Sequence, residues 1–278
     1  MKHFLVAFDF SKNAVHSLEY ALMFANRIEA DLSLVWVDSS NTPEHLYNID
    51  QELRIETKSH FDDIIQQYAP LVHHGKINQF LRKGKVYSEV ATVAKAINAS
   101  LLFAGTHGVS GFEEFWIGSN AYRIVASATC PVITIRRDYA FNNSIKKIVL
   151  PIDNSADTKH KIPYAARIAK AFNAEIHLLT VNNSPIQVIR KRMLSYVAEA
   201  SRFLENEGVK YIVSEVESDN ITSSILTYSE AQQADFIAIM TEQGASNGNM
   251  FLGPYAQQLI NNAKIPVLSV QSVHSDLS

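Results

Sequence analysis

The chain has 278 residues, 47% hydrophobic and 19% charged, with a formal net charge of −3. It is long enough for two ordinary domains, apolar enough to bury their cores, and carries the wrong charge for a general nucleic-acid binder. One cysteine, Cys130, excludes a disulfide framework and a Cys-based zinc site; the opening MKHFLVAFDF runs into a strand rather than a signal peptide; and no apolar run reaches a membrane span of roughly 20 residues, so a soluble, cytoplasmic protein without nucleic-acid or membrane partners is expected.

Residues 3–8, HFLVAF, read as a strand ending at Asp9, and Ser11 is a good N-cap for a helix over 13–29 that places Leu18, Ala21, Leu22 and Ala25 on one face. Asp31 to Val37 is a second strand. The βαβ unit so formed implies parallel pairing with a right-handed crossover. Residues 43–69 carry a longer, more polar helix with Leu46, Ile49, Leu53, Phe61, Ile64 and Ile65 inward. Ile77 to Gly84 reads as the third strand, and Val86 to Asn98 as a helix with Val90, Val93, Ala94 and Ile97 on one face. Leu101 to Ala104 is the fourth strand, 120–128 a helix, and Cys130 to Arg136 the fifth strand. Strands and helices alternating over short links predict a doubly wound α/β domain.

Residues 138–146 lack a core pattern and read as a linker, after which the chain begins again. Ile148 to Val181 lies beside Phe4 to Val37 without a gap, pairing Asp9 with Asp153, Ser11 with Ser155 and Tyr20 with Tyr164. Further on, Gly118 meets Gly253 and Pro131 meets Pro266. This is a tandem duplication, with domains at 1–137 and 147–278. The expected fold class is α/β, two tandem doubly wound, open, parallel five-stranded sheets of Rossmann-like form.

Between the fourth strand and the helix after it lies GTHGVSGFEEFWIGS, Gly105 to Ser119, with the pattern G-x2-G-x9-G-S. Glycines let backbone N–H groups approach an anion and allow positive φ, and a helix N-terminus offers unpaired N–H groups and a favourable dipole. The same residues also suit a tight surface turn. The pattern resembles the nucleotide loop of the ATP-binding universal stress proteins, a family that also occurs as tandems. The resemblance implies a pseudo-dimer of the two halves paired through their fifth strands, Val132 to Ile135 and Val267 to Val270. It places an adenine nucleotide (ATP, ADP or AMP, with or without Mg2+) at the C-terminal ends of strands one, two and four. Carried onto this chain, the contacts are Ala7, Phe8, Asp9 and Ser11, with Val37 meeting the adenine through its backbone and Gly105, Gly108, Gly118, Ser119 and Asn120 holding phosphates. Asp9 would bond the ribose or approach a phosphate-bound metal, or else cap the first helix together with Ser11. His107 lies inside the loop, where a histidine is more often polar surface. Glu113 and Glu114 stand where relatives carry basic residues, and each would cost on the order of 4 kcal/mol at about 4 Å from a phosphate. They are therefore expected to face away, with Phe112, Phe115 and Trp116 anchoring the loop.

The second copy loses this pattern: Met240 and Gln243 replace Gly105 and Gly108, and Pro254, which has no N–H, replaces Ser119. One nucleotide site per chain, in the first half, is expected. No G-x4-G-K-[ST], G-x-G-x-x-G or G-x-S-x-G motif is present, and the adjacent His73 and His74 are not spaced to share a metal. Three functions stay open at this point. One is a regulatory nucleotide-binding protein of the stress-response type, read by partner proteins and with a further homodimer allowed. The second is a slow adenine-nucleotide hydrolase. The third is a nucleotide-independent module binding a small molecule or protein through the second half.

Overall fold

The computed structural model describes residues 2–39, 47–106, 117–241, 243–246 and 249–271. In the first half, β1 (His3–Ala7), β2 (Asp31–Asp38), β3 (Ile77–Lys83), β4 (Leu101–Gly105) and β5 (Val132–Ile135) pair in the order β3-β2-β1-β4-β5, every neighbour parallel. In the second, β6 (Lys147–Ile152), β7 (Glu175–Asn182), β8 (Tyr211–Glu217), β9 (Phe236–Thr241) and β12 (Val267–Gln271) repeat the arrangement as β8-β7-β6-β9-β12. The fifth strands meet antiparallel, with Ile133 opposite Leu268, so the two sheets are one sheet of ten strands. This is the pairing expected of the pseudo-dimer, and it hides two strand edges.

Eight helices cover the described sheet: α1 (Lys12–Ile28), α2 (Tyr47–Tyr68), α3 (Val86–Ala96) and α4 (Ser119–Ser127), then α5 (Ile162–Phe172), α6 (Gln187–Asn206), α7 (Ile221–Ala231) and α8 (Pro254–Asn262). Strand side chains alternate between two apolar layers. Phe4, Val6, Leu32 and Phe103 face α1, α2, α5 and α6, while Leu5, Val35, Leu102 and Ala104 face α3, α4, α7 and α8. The first layer runs through both halves, because the Phe24 ring lies 5.0 Å from that of Phe172 and 6.2 Å from that of Phe236. None of the described helices is long and apolar enough to cross a membrane.

Three local features differ from the sequence reading. On α2, Phe61 is buried and Leu53, Ile64 and Ile65 are partly so, but Thr57 and Tyr68 complete the inward stripe, and the side chains of Leu46 and Ile49 lie outside the described residues. The copy of α1 is cut short. Pro163 cannot donate to a preceding turn, so α5 starts at Ile162 with proline in its first turn, and 156–159 form a separate 3₁₀ turn. Between β9 and α8, β10 (Gln243–Ser246) and β11 (Asn249–Leu252) form an antiparallel hairpin.

The segment 138–146 is irregular but belongs to the core. Ile145 is buried, Phe141 packs 5.1 Å from the Tyr20 ring, and the Tyr139 hydroxyl donates to the carbonyl of Asp235 at 3.2 Å. Tyr139, Phe141 and Ile145 are two and then four residues apart and sustain neither the strand nor the helix period, which hid them from a reading based on periodicity. Tyr20 itself is fully buried, and its hydroxyl has no hydrogen-bond partner among the described residues. Burial pushes that hydroxyl well above the usual tyrosine range. Tyr20→Phe removes a desolvated, unpaired group and is expected to stabilise the chain by about 1 kcal/mol. Urea denaturation checks it, and a loss of stability in the variant would contradict the burial described here.

Candidate functional site

At the C-terminal edge of the first half-sheet the chain makes a cavity of about 350 Å³, within the roughly 300–1,000 Å³ of small-molecule sites. It lies where β1 and β4 diverge to opposite sides, the switch point at which open parallel sheets hold ligands. Ala7, Phe8 and Asp9 form the wall from β1, Val37 that from β2, Gly105 that from β4, and Gly118, Ser119 and Asn120 that from the start of α4. Eight of the residues singled out from sequence are thus brought together. Ser11 does not line the cavity, while His107 and Gly108, with Glu113, Glu114 and the anchoring aromatics, lie outside the described residues.

The β1–α1 turn is built around side-chain acceptors. Asp9 Oδ1 accepts from the Ser11 N–H at 3.1 Å, and Ser11 Oγ accepts from the Ala14 N–H at 3.1 Å, capping α1. Between them Phe10 has φ 61°, a left-handed conformation that costs a non-glycine residue about 1–2 kcal/mol. Ring contacts hold it there, to Phe61 at 4.9 Å and to Phe8 at 5.2 Å. The Phe8 ring is buried in that cluster and its N–H donates to the Val35 carbonyl, so Phe8 meets the cavity through its main chain. Asp9 is only partly buried, and Oδ2 has no hydrogen bond to another described residue.

Gly105 and Gly118 serve the site differently from the sequence expectation, because neither has positive φ. Gly105 is extended in β4, and a Cβ there would lie 3.1–3.3 Å from Asn13, two of the three nearest atoms being Asn13 backbone. Glycine is needed for α1 to approach β4. Gly118, with φ −59° and ψ 147°, is the N-cap of α4, and no side chain caps that helix. Its own N–H is used, donating to the Thr106 carbonyl at 2.7 Å and closing the ends of the loop on each other. The N–H groups of Ser119 and Asn120, at the first helical positions, are the donors that face the cavity end.

Sequence reasoning missed Trp36 and Ser39 around the end of β2, Val86 and Val90 on α3, and Thr106. Val90 reads from its spacing as core, and Val86, one turn before it, only as the start of the helix. The end of the loop is also fastened to the other half. The Ile117 N–H donates to Asn261 Oδ1 on α8 at 3.0 Å. At the corresponding place in the copy, the Leu252 N–H donates to the Tyr122 hydroxyl on α4 at 3.1 Å. Each half thus holds the loop end of the other. Among the described residues no group of three His, Cys, Asp or Glu side chains is placed to hold a metal.

The second half keeps the β6–α5 turn, Asp153 Oδ1 accepting from the Ser155 N–H at 2.8 Å, and Gly253 repeats the N-cap geometry of Gly118 with φ −54° and ψ 148°. Its cavity, about 550 Å³, is walled by Met240 and Tyr255 in place of Gly105 and Asn120. Pro254 opens α8 without an N–H to offer.

Comparison with known proteins agrees with the tandem fold. The sequence profile of the universal stress protein family matches twice, over residues 1–136 and 144–271. A provisionally named universal stress protein of Staphylococcus saprophyticus is 26% identical over 141 residues, covering 49% of this chain and 84% of its own. The crystal structure of a universal stress protein from Archaeoglobus fulgidus superposes with a TM-score of 0.79, covering 97% of this chain and 98% of the other at 19% identity. A universal stress protein structure from Pseudomonas aeruginosa, also provisionally named, gives 0.66, covering 98% and 93% at 17% identity. At such identities the structural likeness is one of fold.

Proposed function

Since the chain belongs to the universal stress protein family, we propose that its first half binds one adenine nucleotide, ATP, ADP or AMP, and that protein partners read the bound state. The observation that carries this is a cavity at the ends of β1, β2 and β4 that opens onto the uncapped N-terminus of α4. The base would lie between Val37 and Val86, the ribose near Asp9, and the phosphates at the Ser119 and Asn120 N–H groups. Mg2+, where present, would ride on the phosphates, with Asp9 as the protein carboxylate within reach. The bond from Ile117 to Asn261 gives a bound phosphate a direct route to the other half, because it fixes the residue just before Gly118. Asp9 is the one acid among the described cavity residues, with no histidine or lysine beside it to activate water.

Calorimetric titration of the purified chain with ATP, ADP and AMP, with and without magnesium, tests the proposal, with GTP as the contrast. One equivalent of adenine nucleotide per chain is expected. Absence of binding by all three at millimolar concentration would reject it, and turnover well above background would move the assignment to the hydrolase.

A further inference from the structure

The larger cavity, in the second half, has no part in nucleotide binding as proposed above. Two of its wall positions carry larger apolar side chains than their counterparts in the first half. Ile239 stands at the position of Ala104, Met240 at that of Gly105, and Leu259 at that of Ile124, with Ile152, Leu179 and Ile225 beside them. A triphosphate finds no cradle there, since Met240 and Pro254 occupy the corresponding positions.

One cation is buried in that wall. Lys161, 1% exposed, takes the place that Ser17 holds in the first half. Its Nζ donates to Thr158 Oγ1 at 2.8 Å, and Thr158 Oγ1 also accepts from the Asp153 N–H at 3.2 Å. An ammonium has three donors, and the other two have no partner among the described residues; no described carboxylate lies within 4.0 Å of Nζ. Asp153 sits in solvent at the mouth with Oδ1 engaged by the Ser155 N–H, so it helps keep the amine charged without pairing with it. Burial brings the Lys161 amine down to about 8, against the pull of Asp153, which leaves it a cation at neutral pH. An uncompensated buried charge is costly, and the corresponding position of the first half, inside the unbroken α1, is the neutral Ser17. A ligand can supply the missing anion.

We propose that the second half binds a small organic carboxylate with an apolar body, such as a medium-chain fatty acid, its carboxylate against Lys161 Nζ and its hydrocarbon along Ile225, Ile239 and Leu259. The apolar walls select against inorganic anions and nucleotides, and the cation selects the acid over the corresponding alcohol. The exposed Tyr255 stands at the rim.

Octanoate and 1-octanol, titrated calorimetrically into the full chain, separate the two contributions. One equivalent of octanoate is expected, bound roughly tenfold or more tightly than octanol, the effect of a charge-assisted hydrogen bond. Lys161→Met keeps the length of the side chain without its charge. It is expected to weaken octanoate by about the same factor and leave octanol unchanged or tighter, whereas Ile225→Trp, filling the cavity, is expected to lose both. Thermal melts confirm that each variant is folded, and the acid-to-alcohol comparison on the unmodified chain stands without them. Equal binding of acid and alcohol, no octanoate binding at millimolar concentration, or an unchanged octanoate affinity in folded Lys161→Met would overturn the proposal. Nucleotide titration of the same variants is independent of it, and failure of nucleotide binding alone would touch only the first half.

Discussion

Gly118→Val is expected to weaken adenine-nucleotide binding by about a hundredfold or more while the chain stays folded. The backbone at 118, φ −59° and ψ 147°, is a conformation valine adopts without strain, and the bond from its N–H to the Thr106 carbonyl survives the substitution. What changes is the space at the head of α4. A β-branched side chain is added to a wall residue of a cavity of only about 350 Å³, next to the Ser119 and Asn120 N–H groups. Losing two such charge-assisted hydrogen bonds, each about 1.5–3 kcal/mol, accounts for the factor. Ile225→Trp in the second half provides the contrast, because it fills the other cavity and is expected to leave nucleotide affinity unchanged. Release of bound small molecules by heat, followed by mass spectrometry, reads both variants beside the unmodified chain. Full nucleotide occupancy in Gly118→Val, or its loss in Ile225→Trp, would put the site elsewhere.

Phe24→Ala is expected to cost about 3–5 kcal/mol and to destabilise both halves together. Phe24 is fully buried and its ring meets Phe103 within its own half and Phe172 and Phe236 in the other. The resulting cavity would therefore open in the layer shared by α1 and α5. Both tryptophans, Trp36 and Trp116, lie in the first half, so their fluorescence follows that half while far-ultraviolet circular dichroism follows the whole chain. In urea the two signals are expected to coincide in the unmodified chain and to shift together in Phe24→Ala. A shift confined to fluorescence would mean that the halves unfold independently and that the aromatic contact contributes little to their association.

Most strands and helices of this protein could be read from period alone, because each half is an open sheet buried on both faces. Runs such as LLFA before Gly105 and VITI after Pro131 had no alternative to a buried strand. The duplication was readable for the same reason, since the copy preserves the pattern from Ile148 to Val181 residue by residue. Where the reading differed, a single residue or an aperiodic contact was responsible. Pro163 broke the copied helix, and Tyr139, Phe141 and Ile145 packed a segment that has no period to detect. In the site, Val90 showed only the spacing of a core residue, and Val86 only the start of a helix. Facing a cavity and facing a packed neighbour leave the same trace in sequence.

The resemblance of the glycine loop to a known family supplied the residues expected at the ends of β1, β2 and β4; the sequence by itself determined the two α/β halves, their order and the loss of the glycine pattern in the second. These follow from hydrophobic periodicity and spacing, which are local properties of the chain. Tertiary structure alone decided the rest. Gly105 is glycine because Asn13 of another element lies against it, left-handed Phe10 packs on the Phe61 ring, distant in sequence, and Ile117 is tied to Asn261 across the joined halves. It also decided that Lys161 is buried without a counter-ion, since a lysine two residues before a proline reads as surface until the packing around it is known. Contacts between residues far apart in the chain leave no period behind, and they set both the rigidity of the first site and the charge of the second.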